Sequence, residues 1–294
     1  MGTSSASIFQ AVVLLLAVSS GVYGALTSLT LPSDPNAAAS WYTGSSLATS
    51  GTVIAAGAPG ADTSESSSTT LPTGSGTGYV ALYNCPGGVA TACAYTGQIA
   101  GPSTGSLFGA TVVLLNSGGF LAVGAPGYSS KAGYVAMYSL VGGALSTTIN
   151  SFAPNYGSSE LGFSLAGTMS GTTLWVFAGA PVYGSTSGAG DCSDSPCGTV
   201  VMYVCSVSGT TYSCPSQTSY VFSGNFDNNG FAISVALMSS TVVGLASIDS
   251  HNTDLYLWSC STTSCSSATN PGTTGTGIYF RCPIVSYMFF IQLP

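Results

Sequence analysis

One unit, clearest at residues 107–138, recurs along the chain and restricts the fold more than any other feature. An apolar run at residues 108–112 leads to a turn at 116–119, then to a second run that stops at the Gly-Ala-Pro triplet of residues 124–126. A polar loop precedes a third run at residues 134–138. Runs of this length, rich in β-branched and aromatic side chains and bounded by Gly, Asn and Pro, are too short for helices. The unit therefore predicts strand, turn, strand, loop and strand.

Four copies of the unit share the same markers in the same order. Each has a first glycine followed two residues later by Ser, Thr or Ala, and the first glycines are Gly44, Gly109, Gly162 and Gly230. The second run stops at Gly-Ala-Pro in three copies, at residues 57–59, 124–126 and 179–181. A period of this length is typical of a propeller blade or a similar array. We therefore predict an all-β repeat protein, with a fourth, outer strand in each blade at residues 92–99, 145–152 and 212–222 of the first three copies.

The repeats resemble FG-GAP repeats, which are the blades of the integrin alpha-subunit β-propeller. The resemblance covers roughly residues 40–260 and rests on Phe108-Gly109, on the Gly-Ala-Pro triplets, and on Gly-Tyr-Val at residues 78–80 and 133–135. It implies a β-propeller. Because integrin propellers have more than four blades, three alternatives stay open: a small closed ring, a chain whose other blades are missing, or blades too eroded to recognise.

The ends of the chain differ from the repeats. Residues 1–24 are typical of a secretory signal peptide, since a short apolar core precedes small residues, although no Lys or Arg comes before it; a buried strand is the alternative. Residues 25–39 form either a strand that completes another blade or a linker. Residues 40–277 hold the repeats. The atypical tail, residues 278–294, is read as the truncated or altered end of a longer repeat protein, or as an authentic closing strand.

The composition excludes one large class of partners. Nine acids face only Lys131 and Arg281, so that the formal net charge is −7 and charged residues make up 4% of the chain. A protein that binds a phosphate backbone needs a basic surface, which this chain lacks. After the first segment, no run approaches the roughly 18 to 20 apolar residues that span a bilayer. We expect no nucleic-acid partner and no transmembrane span.

Cysteines recur at one position of the repeat. Three pairs flank the turn after the third strand of a blade, and a fourth lies in the loop after the third Gly-Ala-Pro triplet. The spacing predicts these disulfides: Cys85 with Cys93, Cys205 with Cys214, Cys260 with Cys265, and Cys192 with Cys197. Disulfides are typical of secreted proteins, and the prediction leaves Cys282 unpaired. None of the pairs has the CxxC spacing of a zinc cluster.

Metal sites are not predicted. In the integrin family, acidic loops between the first two strands of several blades hold calcium, but the corresponding segments here contain no acid: residues 48–52, 116–119, 169–173 and 238–241. Calcium needs about six to eight oxygen ligands, usually including several carboxylates. We interpret the remaining polar clusters as turn residues: Asp191, Asp194, Asp227, Asn228 and Asn229. No cofactor and no calcium-linked stability are expected.

Catalytic residues are not predicted either. Residues 101–105 match G-x-S-x-G, but they lie between an outer strand and the start of a blade rather than between a strand and a helix. A triad of Ser103, His251 and Asp249 is formally possible, and we interpret these as loop residues. Glu65 and Glu160 lie in separate repeats, with no pairing that the sequence indicates. We therefore expect that the chain is not an enzyme.

The predicted function is a secreted or cell-surface recognition or adhesion module that binds an extracellular protein or glycan through propeller loops. The alternative is a structural coat or extracellular-matrix protein without a discrete ligand; its Ser- and Thr-rich segment, residues 63–77, would suit O-linked sugar. A hydrolase is the more distant alternative. A saturable ligand would favour recognition, whereas self-association without one would favour the coat.

Overall fold

The computed structural model describes residues 44–60, 76–86, 93–153, 159–181 and 199–214, and the backbone of residues 234–237, 242–248, 253–260 and 265–267. In these ranges helix is confined to two single turns, a 3-10 turn at Asn116–Gly118 and α1 at Tyr128–Lys131. Everything else that is regular is strand. The prediction of an all-β protein is thus confirmed for the described part of the chain.

The strands form four antiparallel sheets, each with four strands in chain order. Sheet 1 contains β1 (Ser46–Ser50), β2 (Val53–Ala58), β3 (Tyr79–Asn84) and β4 (Ala94–Ala100), and sheet 2 contains β5 (Thr111–Leu115), β6 (Phe120–Gly124), β7 (Val135–Val141) and β8 (Ala144–Phe152). Sheet 3 contains β9 (Ser164–Ser170), β10 (Thr173–Ala180), β11 (Thr199–Ser208) and β12 (Thr211–Ser213). Sheet 4 contains β13 (Ser234–Leu237), β14 (Val242–Ile248), β15 (Thr253–Cys260) and β16 (Cys265–Ser267). Each sheet corresponds to one predicted repeat.

Outer strands follow the third strand of each unit. Two of them, β4 and β8, lie within one or two residues of the predicted positions. The third, β12, begins at Thr211 and ends at Ser213, which is shorter than the predicted strand at residues 212–222. Residues 215–222 lie outside the described residues. Two-residue turns join β1 to β2, β7 to β8, β9 to β10 and β11 to β12, and so short a connection can join only antiparallel neighbours.

Sheets 1, 2 and 3 pack face to face through two apolar cores. Because successive side chains of a strand point to opposite faces, Leu121 and Val123 of β6 contribute to the core shared with sheet 1, while Phe120 and Ala122 contribute to the core shared with sheet 3. All four side chains are fully buried. This two-sided burial explains why the middle strands are apolar at nearly every position rather than at every second one.

First strands of successive sheets lie side by side, because β1 contacts β5, β5 contacts β9, and β9 contacts β13. The face of sheet 1 that points away from sheet 2 carries a third apolar cluster, with Ile54, Ala56, Tyr79 and Tyr83 among its members. These side chains are buried, with at most 3% of their surface exposed.

The first glycine of each described repeat is hydrogen-bonded within its own sheet, and Gly109 and Gly162 are also hydrogen-bonded to the preceding sheet. Its N–H donates to the carbonyl of the triplet glycine in the same sheet: Gly44 to Gly57 at 2.9 Å, Gly109 to Gly124 at 3.0 Å, and Gly162 to Gly179 at 3.0 Å. Its carbonyl accepts a hydroxyl of the preceding sheet: Ser46 Oγ donates to Gly109 O at 2.7 Å, and Thr111 Oγ1 donates to Gly162 O at 2.9 Å. The Ser or Thr two residues after the glycine is therefore an inter-sheet donor.

Glycine is required in the triplet because of this close approach. A Cβ on Gly57 would overlap the carbonyl oxygen of Gly109, and a Cβ on Gly124 would overlap that of Gly162. Gly109 also has a φ of +87°, which disfavours any residue with a side chain. The Gly-Ala-Pro triplet thus marks the place where two sheets meet backbone to backbone.

A buried tyrosine in the core leads us to expect that the stability of the protein decreases at alkaline pH. Tyr203 is buried and stacks on Phe152 with ring centroids 4.3 Å apart. Loss of solvation raises the pKa of the Tyr203 phenol far above its usual value. The folded state therefore holds this proton more tightly than the unfolded chain, so its contribution to stability is complete below about pH 10 and is lost as the pH rises further.

We expect the free energy of unfolding, measured with urea, to fall between pH 9 and pH 11, and Tyr203→Phe to reduce this fall by about 1.4 kcal/mol. A fall of equal size in the wild type and in the variant would show that Tyr203 ionises equally well in the folded protein.

Candidate functional site

Three sheets converge on a cleft of about 210 Å³ at one rim of the molecule. Four turns form it: the turns β1–β2, β5–β6 and β7–β8, and the hairpin β11–β12. Its lining residues are Thr52, Val53, Asn116, Ser117, Gly118, Gly119, Leu140, Gly142, Gly209, Thr210 and Tyr212. Two of these turns, at residues 51–52 and 116–119, are segments in which the sequence lacks the acids of the integrin calcium loops.

The β5–β6 turn has an unusual backbone. Asn116, Ser117 and Gly118 are all left-handed, with φ of 51°, 52° and 85°. Side chains rarely adopt this conformation, and Asn tolerates it better than most residues. Non-glycine residues held in this region are enriched at binding and catalytic sites. Because this conformation costs free energy, contacts with neighbouring turns must hold this turn in place.

The β1–β2 turn holds it from one side. Gly118 N–H donates to Ser50 Oγ at 3.1 Å. Gly51, with a φ of +61°, lies so near that a Cβ on it would be 2.6 Å from Ser117 O. A side chain at residue 51 would push the two turns apart, so the contact between sheets 1 and 2 at this rim depends on glycine.

Tyr212 of sheet 3 holds the turn from the other side. Asn116 Nδ2 donates to Tyr212 Oη at 2.7 Å. The Tyr212 ring packs on Phe120, with ring centroids 5.4 Å apart. Its hydroxyl oxygen would be 2.7 Å from a Cβ on Gly119, so that glycine leaves the space that the tyrosine occupies. Tyr212 is half-buried, and its hydroxyl retains a hydrogen to donate after accepting from Asn116.

The chemistry of the cleft follows from its lining. Hydroxyls and one amide come from Thr52, Asn116, Ser117, Thr210 and Tyr212, and no Asp, Glu, Lys, Arg or His is among the lining residues. Such groups donate and accept hydrogen bonds but provide neither a strong base nor a fixed charge at neutral pH. The cleft is therefore suited to a neutral, polar ligand.

Among the described residues, one ion pair lies at the opposite rim. Lys131 Nζ lies 3.4 Å from Glu160 Oε1, and Glu160 N–H donates to Lys131 O at 2.7 Å. The lysine side chain is 69% exposed, so the pair contributes little to stability. Glu160, for which the sequence indicated no partner, thus joins the β8–β9 connection to the β6–β7 loop.

Two of the predicted cysteine pairs are disulfides in the structure. Cys85 is bonded to Cys93, and Cys205 to Cys214. All four sulfur-bearing side chains are buried. Cys260 and Cys265 lie directly opposite each other in the register of β15 and β16, which is the position that the predicted pairing requires of the backbone. Cys192, Cys197 and Cys282 lie outside the described residues.

Most of the other candidates that the sequence singled out are not described. Ser103 lies in the β4–β5 connection, where its carbonyl accepts from Ser106 N–H at 3.2 Å. Eight other candidates lie outside the described residues: Glu65, Asp191, Asp194, Asp227, Asn228, Asn229, Asp249 and His251. The interpretation of Ser103, His251 and Asp249 as loop residues therefore stays a prediction. Within the described ranges, no group of three or more His, Cys, Asp or Glu is placed to hold a metal ion.

Sequence reasoning missed the cleft. It identified residues 116–119 only as a turn and placed residue 212 only at the start of an outer strand. A signal was available in the run Asn-Ser-Gly-Gly, which is typical of left-handed turns. Nothing in the sequence indicated that Tyr212 contacts Asn116, 96 residues earlier.

Comparison with known proteins gives no match to any family and none to any curated protein. The chain is similar to a number of solved structures, two of which are as follows. One is from a study of two prolyl endopeptidases, with a TM-score of 0.42 and 12% identity over 77% of this chain and 27% of that one. The other is a protein from Lactobacillus plantarum, with a TM-score of 0.40 and 15% identity over 74% of this chain and 51% of that one. The chain thus spans about a quarter of the length of the first protein and about half of the length of the second.

Both solved structures are β-propeller-type folds. The prediction that this chain is not an enzyme is wrong as an exclusion, because the first of the two structures belongs to a hydrolase. At this level of similarity, that structure assigns no activity to the chain. In the described ranges, no helix has the length and apolar character needed to cross a bilayer.

Proposed function

We propose that the chain is an FG-GAP-type propeller that acts as a secreted or cell-surface recognition module and binds its partner at the rim that carries the cleft. The observation that carries the proposal is the cleft itself, in which turns from three sheets meet around Asn116 and Tyr212. Rigid sheets that present turns at a common rim are a frequent basis for binding. The FG-GAP assignment is supported by the junctions, where Gly109 and the triplet glycines make the inter-sheet contacts.

Export is supported by the two disulfides. Buried disulfides persist in oxidising surroundings such as the secretory pathway and the cell exterior. We expect expression through a secretory pathway to yield the protein with Cys85–Cys93 and Cys205–Cys214 intact, as a map of peptides under nonreducing conditions would show.

The test of recognition is saturable binding. We expect labelled protein to bind an extracellular protein or glycan extract with a plateau, and unlabelled protein to compete for the same sites. Binding that rises linearly without competition would contradict a discrete ligand. The labelled protein should be monomeric at the concentrations used, which sedimentation velocity measures.

A structural role is favoured by one specific observation, the outer edge of sheet 2. Strand β8 runs for nine residues without a charged side chain, and Leu145 is 45% exposed on it. Exposed edge strands are usually protected by charge or proline, since an unprotected edge pairs with other chains. A coat protein would show self-association that increases with concentration, and Thr147→Lys in β8 would suppress it.

A further inference from the structure

We infer that the cleft binds a single neutral sugar unit of a glycan. This inference rests on the proposed recognition function and gives it a ligand class. Its first support is charge: the lining residues have no Asp, Glu, Lys, Arg or His, so neither an acidic sugar nor a phosphate would find a charged partner. Burying a neutral ligand costs less solvation free energy than burying a charged one, provided that its polar groups form hydrogen bonds in the cleft.

The second support is the density of hydrogen-bonding groups. Thr52, Ser117, Thr210 and Tyr212 offer four hydroxyls, and Asn116 offers an amide, within one small cleft. Each hydroxyl donates one hydrogen bond and accepts up to two. Sugars present several hydroxyls on one ring, each again both donor and acceptor, so the two sets of groups match in kind and number. The apolar side chains of Val53 and Leu140 complete the lining.

The third support is size and access. A cleft of about 210 Å³ is below the roughly 300 to 1,000 Å³ of sites for drug-sized ligands, so it holds a group of about one ring. A Cβ on Gly142 or Gly209 would meet no atom within 4 Å. These glycines therefore leave open space along the cleft, where the backbone itself can approach a ligand.

The fourth support is preorganisation. The Asn116 side chain already donates to Tyr212, and the left-handed turn is held by Ser50 and Gly51. A ligand that binds here does not have to order these groups, which lowers the entropic cost of association. Asn116 keeps its amide oxygen and a second N–H for a ligand, and Tyr212 keeps its O–H.

The experiment uses the full chain and an array of immobilised oligosaccharides that end in neutral hexoses or N-acetylhexosamines, with sialylated and sulfated glycans beside them. We expect saturable binding to some neutral glycans, competition by the free monosaccharide, and equal affinity at low and high sodium chloride, because no ion pair is involved. Binding only to the sialylated or sulfated glycans would overturn the inference.

Two variants locate the site. Tyr212→Phe and Thr210→Ala each remove one hydroxyl, and each should weaken binding by roughly two- to tenfold. Their matched controls are Tyr128→Phe, in the loop at the opposite rim, and Thr147→Ala, on the exposed face of β8. Both controls should bind like the wild type, and thermal unfolding should show all four variants folded.

Further outcomes separate this inference from the proposed function. Neutral-glycan binding that is unchanged in Tyr212→Phe and Thr210→Ala would overturn the site. A saturable protein ligand without any glycan binding would overturn the sugar and leave the recognition function standing. Absence of any saturable ligand would overturn both.

Discussion

Replacing Gly124 with alanine should lower the free energy of unfolding by about 3 kcal/mol. The new methyl group would overlap the carbonyl oxygen of Gly162 and approach the hydroxyl of Thr111, which are themselves hydrogen-bonded at 2.9 Å. Overpacking of this kind costs about 1 to 3 kcal/mol, and loss of the hydrogen bond adds about 1 kcal/mol. Urea unfolding followed by tyrosine fluorescence measures the change.

The control for this variant is Gly171→Ala in the β9–β10 turn. Gly171 has a φ of +57°, but a Cβ on it would meet no atom within 4 Å. Alanine there carries only the conformational cost of the left-handed region, about 1 to 2 kcal/mol. Equal losses in the two variants would contradict the inter-sheet contact as the reason for the Gly-Ala-Pro triplet.

Removing the Cys205–Cys214 disulfide should cost about 2 to 3 kcal/mol, because the bond closes a loop with a sequence separation of 9. We expect Cys205→Ala with Cys214→Ala to lower the urea midpoint. The Cys85–Cys93 disulfide, with a separation of 8, should cost about the same when it is removed in the same way.

Reduction of the wild type provides the independent check on the disulfides. If reducing agent leaves the midpoint of the wild type unchanged while the alanine variants are destabilised, the loss arises from the cavities that the substitutions create and not from the cross-link. Cys205 is fully buried, with its sulfur 4.0 Å from Met137 Sδ, so a cavity contribution is expected in that pair.

The strands were predictable because their signals are local. Each run of apolar and β-branched residues ends at a turn marked by Gly, Asn or Pro, and the two-residue turns, such as residues 51–52 and 142–143, can join only antiparallel neighbours. The cysteine pairs are local for the same reason, since Cys85 and Cys93 follow and precede strands that pair with each other. Position in the hairpin alone brings their side chains together.

The sequence also contained recurring positions whose structural role it did not indicate. The Ser, Thr or Ala two residues after each first glycine was recognised as part of a repeat, and the structure shows that Ser46 and Thr111 donate across to the next sheet. The fourth copy has Ala232 there, which carries no hydroxyl. A repeat pattern records which residue types recur, whereas the partner of a hydrogen bond depends on where the next sheet lies.

By itself, the sequence determined the strands, their grouping into four repeats and the hairpin disulfides, because all of these depend on residues near one another in the chain. Only the tertiary structure decided the cleft. Gly51, Asn116 and Tyr212 belong to three different repeats, and they meet because three sheets pack face to face and bring their turns to the same rim. The contacts between sheets arise from burial of both faces of a sheet, which no single repeat encodes.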